Sequence, residues 1–392
     1  MSYYSTVINQ LLQLIPRHKF DNLVKKYEVD RYVRYFNCWQ LFITLLYAQI
    51  RKKDSLRDIE TSLMTQINRW YHLGLKDIKR STLSDANNRM DYRVFKEMFY
   101  AFLDKCISLS SGHKFKFKNP LYSLDSTVIE LCLSVFPWAK FRRMKGALKI
   151  HCLYDHSGSL PSFLVITDGK QHDIKVARSL DLPLLPDSII SIDRAYIDYK
   201  WLYSLNKQGV YFVSRSKKNM KYEVIGQHKV DVNKGVIFDV EILLTAEASR
   251  EDYPEKLRLV GYIDEQTNKK FTFLTNNFQL SAYTISQIYK ARWQIEIFFK
   301  WIKQNLKIKS FLGTSKNAVL SQIWIAMIYY LLLSFIKFQT KYSYSLLDLS
   351  RIFEEAAMNM VNIIDLLSCK DYNSFRTRIR EPDQQLTLSF TN

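Results

Sequence analysis

The residues of this chain able to do chemistry are acids set among bases. Glu296 is the one acid in YKARWQIEIFFKWIK (289–303), where Lys290, Arg292, Lys300 and Lys303 stand beside aromatic and aliphatic residues. Asp125 in NPLYSLDST (119–127) and Asp193 in SIISIDRAY (188–196) each close an apolar run that reads as a strand, so each side chain is expected to emerge at the carboxyl edge of a sheet. Singly, an aspartate after a strand turns the chain, and Glu296 makes an ordinary i, i+4 contact with Arg292 worth about 0.3 kcal/mol. Together, three carboxylates without cysteine or histidine partners at ligand spacing suit a hard cation held by oxygen, Mg²⁺ or Mn²⁺. Two such ions roughly 3.5 to 4 Å apart activate an attacking water or hydroxyl and stabilise the departing oxygen of a phosphodiester, so no side-chain general base is required.

These acids need a sheet and a helix to bring them together. At ~100° per residue, Tyr289, Arg292, Glu296, Lys300 and Lys303 share one face of a single expected helix. Ile288, Ile295, Phe299, Ile302 and Leu306 form a neighbouring apolar stripe that docks on the sheet. Short β-rich runs begin near residue 119: NPLYSLDST, LKIHCLYDHSG (148–158), LPSFLVITDG (160–169), SIISIDRAY and VYFVSRS (210–216). Helix-like HDIKVARSL (172–180) and DYKWLYSLNKQ (198–208) lie between the later runs. That order describes an α/β mixed sheet, antiparallel first and then parallel through right-handed crossovers, which is also the ribonuclease H order.

Five segments follow from this reading: a helical DNA-binding block at 1–112, the first part of the core at 113–216, an inserted β subdomain at 217–278, the second part of the core with the Glu296 helix at 279–340, and a helical tail at 341–392. In the first block, helices are expected at 39–50, 55–64 and 81–106, the last capped by Ser81 or Thr82; they make either a helix-turn-helix-like reader or a bundle that packs on the rest. VLSQIWIAMIYYLLLSFIKF (319–338) imitates a membrane span, but Ser321, Gln322, Tyr329 and Tyr330 interrupt it, and a buried helix is expected.

Over 392 residues, 57 Lys and Arg against 38 Asp and Glu give a net charge of +19, a field that attracts polyanions. With 47% hydrophobic and 14% aromatic residues, and 10 Gly and 8 Pro, the chain is not of disordered composition. Cys38, Cys106, Cys132, Cys152 and Cys369 show neither CxxC nor zinc spacing, which suits a reducing cytoplasm. The opening MSYYSTVINQLLQLIPRHKF lacks the pattern of a secretory signal. In WAKFRRMKGALK (138–149), Lys145 and Lys149, with Lys140, Arg142 and Arg143, stand among Trp138 and Phe141; they form a phosphate grip or a solvated loop. Lys300 is a further candidate DNA contact on the acidic face, RSKKN (215–219) either reaches the substrate backbone or is a charged turn entering the insertion, and His151 reads as a core or supporting residue.

This set of motifs resembles the DDE transposases of bacterial insertion sequences, in the large group, insertion sequence family four, whose third acid lies in a Tyr-x2-Arg-x3-Glu-x6-Lys signature. Tyr289, Arg292, Glu296 and Lys303 match that spacing in full, and LDST, DRAY and the β insertion accompany it over about residues 119 to 335. The resemblance implies a ribonuclease H-like core with two Mg²⁺ or Mn²⁺ ions per active site. Asp125, Asp193 and Glu296 would be the metal-binding catalytic triad, and Tyr289, Arg292 and Lys303 would contact DNA. The implied partners are double-stranded DNA, as terminal inverted repeats and target, and a second copy of the chain, because two ends need two active sites. The implied place is the bacterial cytoplasm, at the nucleoid, without a membrane. Cut-and-paste through hairpin ends asks for an aromatic side chain to receive an extruded base; Phe238, Tyr253, Phe271 and Phe273 are unranked candidates, and Trp293 reads as packing. A metal-dependent nuclease or resolvase of the same fold, and a non-catalytic DNA-binding regulator, are the competing readings.

Overall fold

The structure is a computed structural model that describes residues 5–368 apart from 77, 111, 143, 144, 309 and 344; the side chains of 140–145 also lie outside the description. The chain packs as two compact units, one of Met1–Cys106, Phe311–Gly313 and Asn317–Asn392, the other of Ile107–Ser310 and Thr314–Lys316.

The second unit is built on a ten-stranded mixed sheet. Its strands are β1 (Leu121–Leu131), β2 (Lys140–Arg142), β3 (Lys145–Asp155), β4 (Leu160–Asp168), β5 (Ile189–Ile192), β6 (Tyr211–Arg215), β7 (Tyr222–Gln227), β8 (Val236–Leu244), β9 (Leu257–Asp264) and β10 (Lys269–Thr275). β3 pairs antiparallel with both β1 and β4, while β5 lies parallel to β1 and β6 parallel to β5. Asp173–Ser179 and Tyr199–Lys207 are the crossover helices. This is the expected change from antiparallel to parallel pairing.

Both faces of the central strands are covered, which explains the unbroken apolar runs IISI and YFV. Leu121, Ile189, Val213, Val260 and Phe273 pack on one face with Ile285 and Ile288 of the helix Ala282–Ala291. Leu124, Ile190, Ile192, Phe212, Leu259 and Leu274 pack on the other with Tyr196, Trp201, Leu202 and Tyr253.

The meander at 217–278 differs from the expected separate subdomain. β10 pairs with β6 over Phe273↔Arg215 to Thr275↔Val213, so β10, β9, β8 and β7 continue the central sheet. A β6 edge buried on both faces leaves backbone donors that need partners, and β10 supplies them.

In the first unit, Cys38–Ile50 is capped by a reciprocal Asn37–Gln40 box and Leu56–Met64 by Ser55. The expected single helix at 81–106 is two, Arg80–Arg89 and Arg93–Ile107. Met90 is extended, and the Asp91 carboxylate accepts from Arg93 N at 2.8 Å. The first of the two is preceded by Lys79 without a side-chain cap, so neither Ser81 nor Thr82 serves. Lys316–Thr340 is enclosed in this unit apart from its first residue, rather than joining the sheet as the 279–340 expectation had it. Its membrane-like window is entirely buried: a helix apolar all round needs neighbours all round, as a sheet face does not supply. Of the expected tail, 369–392 lies outside the described residues.

Candidate active site

Asp125 and Asp193 are brought side by side by strand register. The last rung of the parallel β1–β5 ladder is Leu124↔Ile192, and each aspartate is the next residue. Asp125 does not end its strand, as the sequence led us to expect: β1 continues to Leu131, and it is β5 that stops. The β1 edge beside Asp125 is thereby opened on the β5 side. Alternation puts Asp125 on the face of Leu121, the face covered by Ala282–Ala291. Asp193 starts the 3₁₀ turn Arg194–Tyr196, accepting from Ala195 N at 3.1 Å.

The segment carrying Glu296 is not one helix. Ala282–Ala291 and Trp293–Asn305 meet at Arg292, where Arg292 N bonds to Tyr289 O and Ile295 N to Arg292 O, each spanning three residues instead of four. Glu296 therefore sits in the first turn of its own helix, where the unpaired N–H groups favour an anion. The expected apolar anchors hold: Ile288, Ile295, Phe299, Ile302 and Leu306 are all buried.

Arg292 turns inward at the break. Its Nη1 lies 3.0 Å from Asp125 Oδ2 and its Nη2 2.5 Å from Glu296 Oε1. The guanidinium retains 10% of its side-chain exposure, Asp125 21% and Glu296 33%. Burial, with the negative charges of Glu296 and Asp193 nearby, pushes Asp125 up to about 6 against the opposing pull of the Ser126 N–H and Arg292. Among the described residues no three acid, histidine or cysteine side chains already converge as a chelating group. One cation, the guanidinium, instead joins two of the acids.

A cleft of about 500 Å³ opens over this bridge, lined by the Asp125–Thr127 segment, Glu296, Phe299, Lys300, Lys303 and Gln304. Lys300 and Lys303 thus share the acids' cleft, as their helical spacing predicts. A second cavity of about 430 Å³ adjoins Arg292 on its other side and is walled by Phe271, Phe273, Tyr289 and Trp293, with Arg215, Lys269 and Lys290 among its polar residues. Phe271 and Phe273 stack at 6.0 Å, Phe273 meets Tyr289 at 5.0 Å, and the Arg215 guanidinium lies 4.9 Å over Phe271. Trp293, expected to be packing, is 59% exposed. Of the other aromatic candidates, Tyr253 is buried with Tyr203 and Phe212 in the opposite face's core, and Phe238 packs on that same core.

Other basic residues fare differently. Lys149 is 13% exposed and ion-paired with Asp173 at 3.0 Å, on the face away from Asp125, so its charge is already matched. Lys145 falls where the side chains are outside the described residues. Trp138 is tied to Thr314 O at 2.7 Å, and Lys217 to Ile197 O at 2.8 Å. His151 is buried against Thr167, a supporting position as expected. Sequence reasoning missed Asp173, whose signal was an acid opening a helix after β4, whereas Arg215, the first residue of RSKKN, ends β6 and lines the second cavity.

A family model described as a transposase DDE domain matches residues 116–332. A second, described as a domain of unknown function, matches residues 4–76. The chain is 34% identical over 256 residues to the protein y4zB of Sinorhizobium fredii, described as a transposase, covering 64% of this chain and 69% of that one. It is 29% identical over 271 residues to a transposase for insertion sequence element IS5377 of Geobacillus stearothermophilus, covering 68% and 70%. It is 24% identical over 314 residues to a transposase for element IS4SA of a Synechocystis strain, covering 79% and 86%. The match across the sheet and both helices of the acid cleft means that this chain belongs to the DDE transposases of insertion sequences, metal-dependent enzymes that cut and join DNA.

Proposed function

We propose that Asp125, Asp193 and Glu296 are the catalytic acids of this transposase and hold two Mg²⁺ or Mn²⁺ ions. The Arg292 bridge carries the reading. A guanidinium 3.0 Å from Asp125 and 2.5 Å from Glu296 marks a place where two acids from distant segments share one positive charge, with Asp193 just past the end of the adjoining strand. The donor set is oxygen alone, and it fits a hard divalent cation. When bound, such a pair makes water or a 3′-hydroxyl nucleophilic and stabilises the departing oxygen.

The chain's own residues bind and orient the DNA. Arg292, released from the carboxylates, takes a phosphate as a two-pronged donor. Lys300 and Lys303 line the cleft and neutralise neighbouring phosphates, and Tyr289 bounds the site on the side of the second cavity. The strand order β4-β3-β1-β5-β6, with acids on β1, just past β5 and on a later helix, supports a ribonuclease H-like core in which β7 to β10 are the insertion. The complete Tyr289, Arg292, Glu296, Lys303 signature supports assignment to insertion sequence family four.

The substrate is the element's terminal inverted repeats, bound by two copies of the chain, with hairpin ends before strand transfer, in the cytoplasm at the nucleoid. The aromatic cavity beside Arg292 supports the hairpin step, since Phe271, Phe273, Tyr289 and Trp293 offer an extruded base a stacking surface with cations at its rim. Incubating purified protein with paired element-end DNA, a target plasmid and Mg²⁺ tests this. Joined products are expected; cleavage without joining would make the protein a nuclease, and binding without cleavage a regulator.

A further inference from the structure

The face of β1 opposite Asp125 holds a polar cluster that the proposed reaction does not use. Ser126 follows Asp125 and points the other way. Its hydroxyl donates to Asp173 Oδ1 at 2.5 Å. Lys149 Nζ lies 3.0 Å from the same oxygen and 3.1 Å from Asp173 Oδ2. His151 Nδ1 stands 3.6 Å from Asp173 Oδ1, while its other ring nitrogen is 3.0 Å from Thr167 Oγ1. Burial pushes His151 down to about 4, so the ring is neutral near pH 7 and Lys149 is the matched charge of Asp173.

The helix that Asp173 opens also reaches the second aspartate's segment. The helix Asp173–Ser179 packs against Arg194–Tyr196, the turn that Asp193 begins. Tyr196 is 2% exposed, and its hydroxyl sits near Ser126, Asp173 and Asp125 without a well-formed hydrogen bond. The Asp173 carboxylate thus grips the residue after Asp125, and the helix it opens packs on the turn after Asp193. Past the Leu124↔Ile192 rung no ladder bond sets the separation of these two chains.

We infer that Asp173 is a positioning residue, holding Ser126 and the Arg194–Tyr196 turn so that Asp125 and Asp193 stand at the separation a shared divalent ion requires. This rests on the two aspartates being metal ligands. A carboxylate that merely stabilised the fold would lower the melting temperature equally with and without metal and leave metal affinity alone.

The test is calorimetric titration with Mn²⁺ of the full chain and of Asp173→Asn, Ser126→Ala, their double variant and Asp125→Asn. Circular dichroism and DNA binding in EDTA check the fold. Asp125→Asn is expected to lose most Mn²⁺ binding. Asp173→Asn is expected to weaken it about tenfold, the size usual for partners of metal ligands, with DNA binding in EDTA unchanged and strand cleavage recovering as Mn²⁺ is raised. Because Ser126 acts through Asp173, the double variant should be no weaker than Asp173→Asn alone. Wild-type Mn²⁺ affinity in Asp173→Asn beside a loss in Asp125→Asn overturns this inference alone. Wild-type affinity in Asp125→Asn overturns the metal-ligand reading and this inference with it. If Asp173→Asn fails to fold, Ser126→Ala decides: weakened Mn²⁺ binding supports the inference, and unchanged binding refutes it.

Discussion

Replacing Arg292 by Gln removes the positive charge between two acids and so separates the cost of holding those acids together from the action of metal on them. A buried hydrogen bond to a charged group contributes about 1.5–3 kcal/mol. Asp125 and Glu296 keep 21% and 33% of their side-chain exposure, so solvent screens both pairs. A net loss of about 2 kcal/mol in EDTA follows for the variant. The loss depends on pH in a definite direction. Asp125 is raised to about 6, so near pH 5 it is already largely neutral and its half of the bridge contributes little; as pH rises through that value the ionised acid comes to need its partner. The deficit of Arg292→Gln should therefore be larger near pH 8 than near pH 5, where the Glu296 pair alone is lost. Mg²⁺ should then stabilise the variant more than the native chain, where it must displace the guanidinium. In a unit of about 200 residues, ~2 kcal/mol corresponds to roughly 4 to 8 °C. Thermal melts of both proteins at several pH values, in EDTA and in millimolar Mg²⁺, measure each quantity. An equal Mg²⁺ gain in both, or a deficit in EDTA that does not change with pH, would falsify competition between Arg292 and metal for the same acids.

Four further outcomes are expected. Asp125→Asn, Asp193→Asn and Glu296→Gln should each abolish strand cleavage in a gel assay while keeping DNA binding in EDTA, because each removes a proposed metal ligand and no proposed phosphate contact. At limiting Mg²⁺, cleavage by the native protein should fall as pH drops toward about 6, where a proton competes with metal for Asp125, and added Mg²⁺ should restore it; a rate at limiting Mg²⁺ that is flat from pH 5 to 8 contradicts this. Lys303→Ala should bind DNA more weakly with the slope of log affinity against log salt reduced by about one unit, and an unchanged slope would remove Lys303 from the phosphate contacts. Trp293→Ala should keep the first nick and lose hairpin product on denaturing gels, whereas hairpins at the native yield would exclude Trp293 from base capture.

What the sequence makes legible follows from how local each feature is. Strand patterning locates Asp125 and Asp193 because alternating burial and turn chemistry act within a few residues, and helical periodicity locates Glu296, Lys300 and Lys303 on one surface. The continuous apolar run at 319–338 marks a buried helix, and the helix Lys316–Thr340 encloses it. Features that depend on distant partners are not legible. The break at Arg292 leaves no glycine or proline in the sequence, and the side chain at the break reaches Asp125, far away in the chain. Lys149 reads as a free base until β3 sets it across from Val128, within reach of Asp173. Phe238 and Phe271 look alike in sequence, yet one packs on the crossover-helix face and the other on the face of the acids.

The same contrast explains how Asp125 and Glu296 can be held close. Three carboxylates gathered without a counter-charge would repel one another and raise one another's pKa values, and the sheet edge would have to absorb that cost. Arg292 offsets it on the Glu296 side, where the helix break points its guanidinium at both acids. On the far side of β1, Lys149 matches Asp173, so the carboxylate that grips Ser126 adds no unmatched charge behind Asp125. Under the proposed metal reading, the site must lose the first cation to work and must keep the second. Removing Arg292 should therefore make metal binding easier and DNA binding harder, while removing Asp173 should make metal binding harder and leave DNA binding in EDTA untouched.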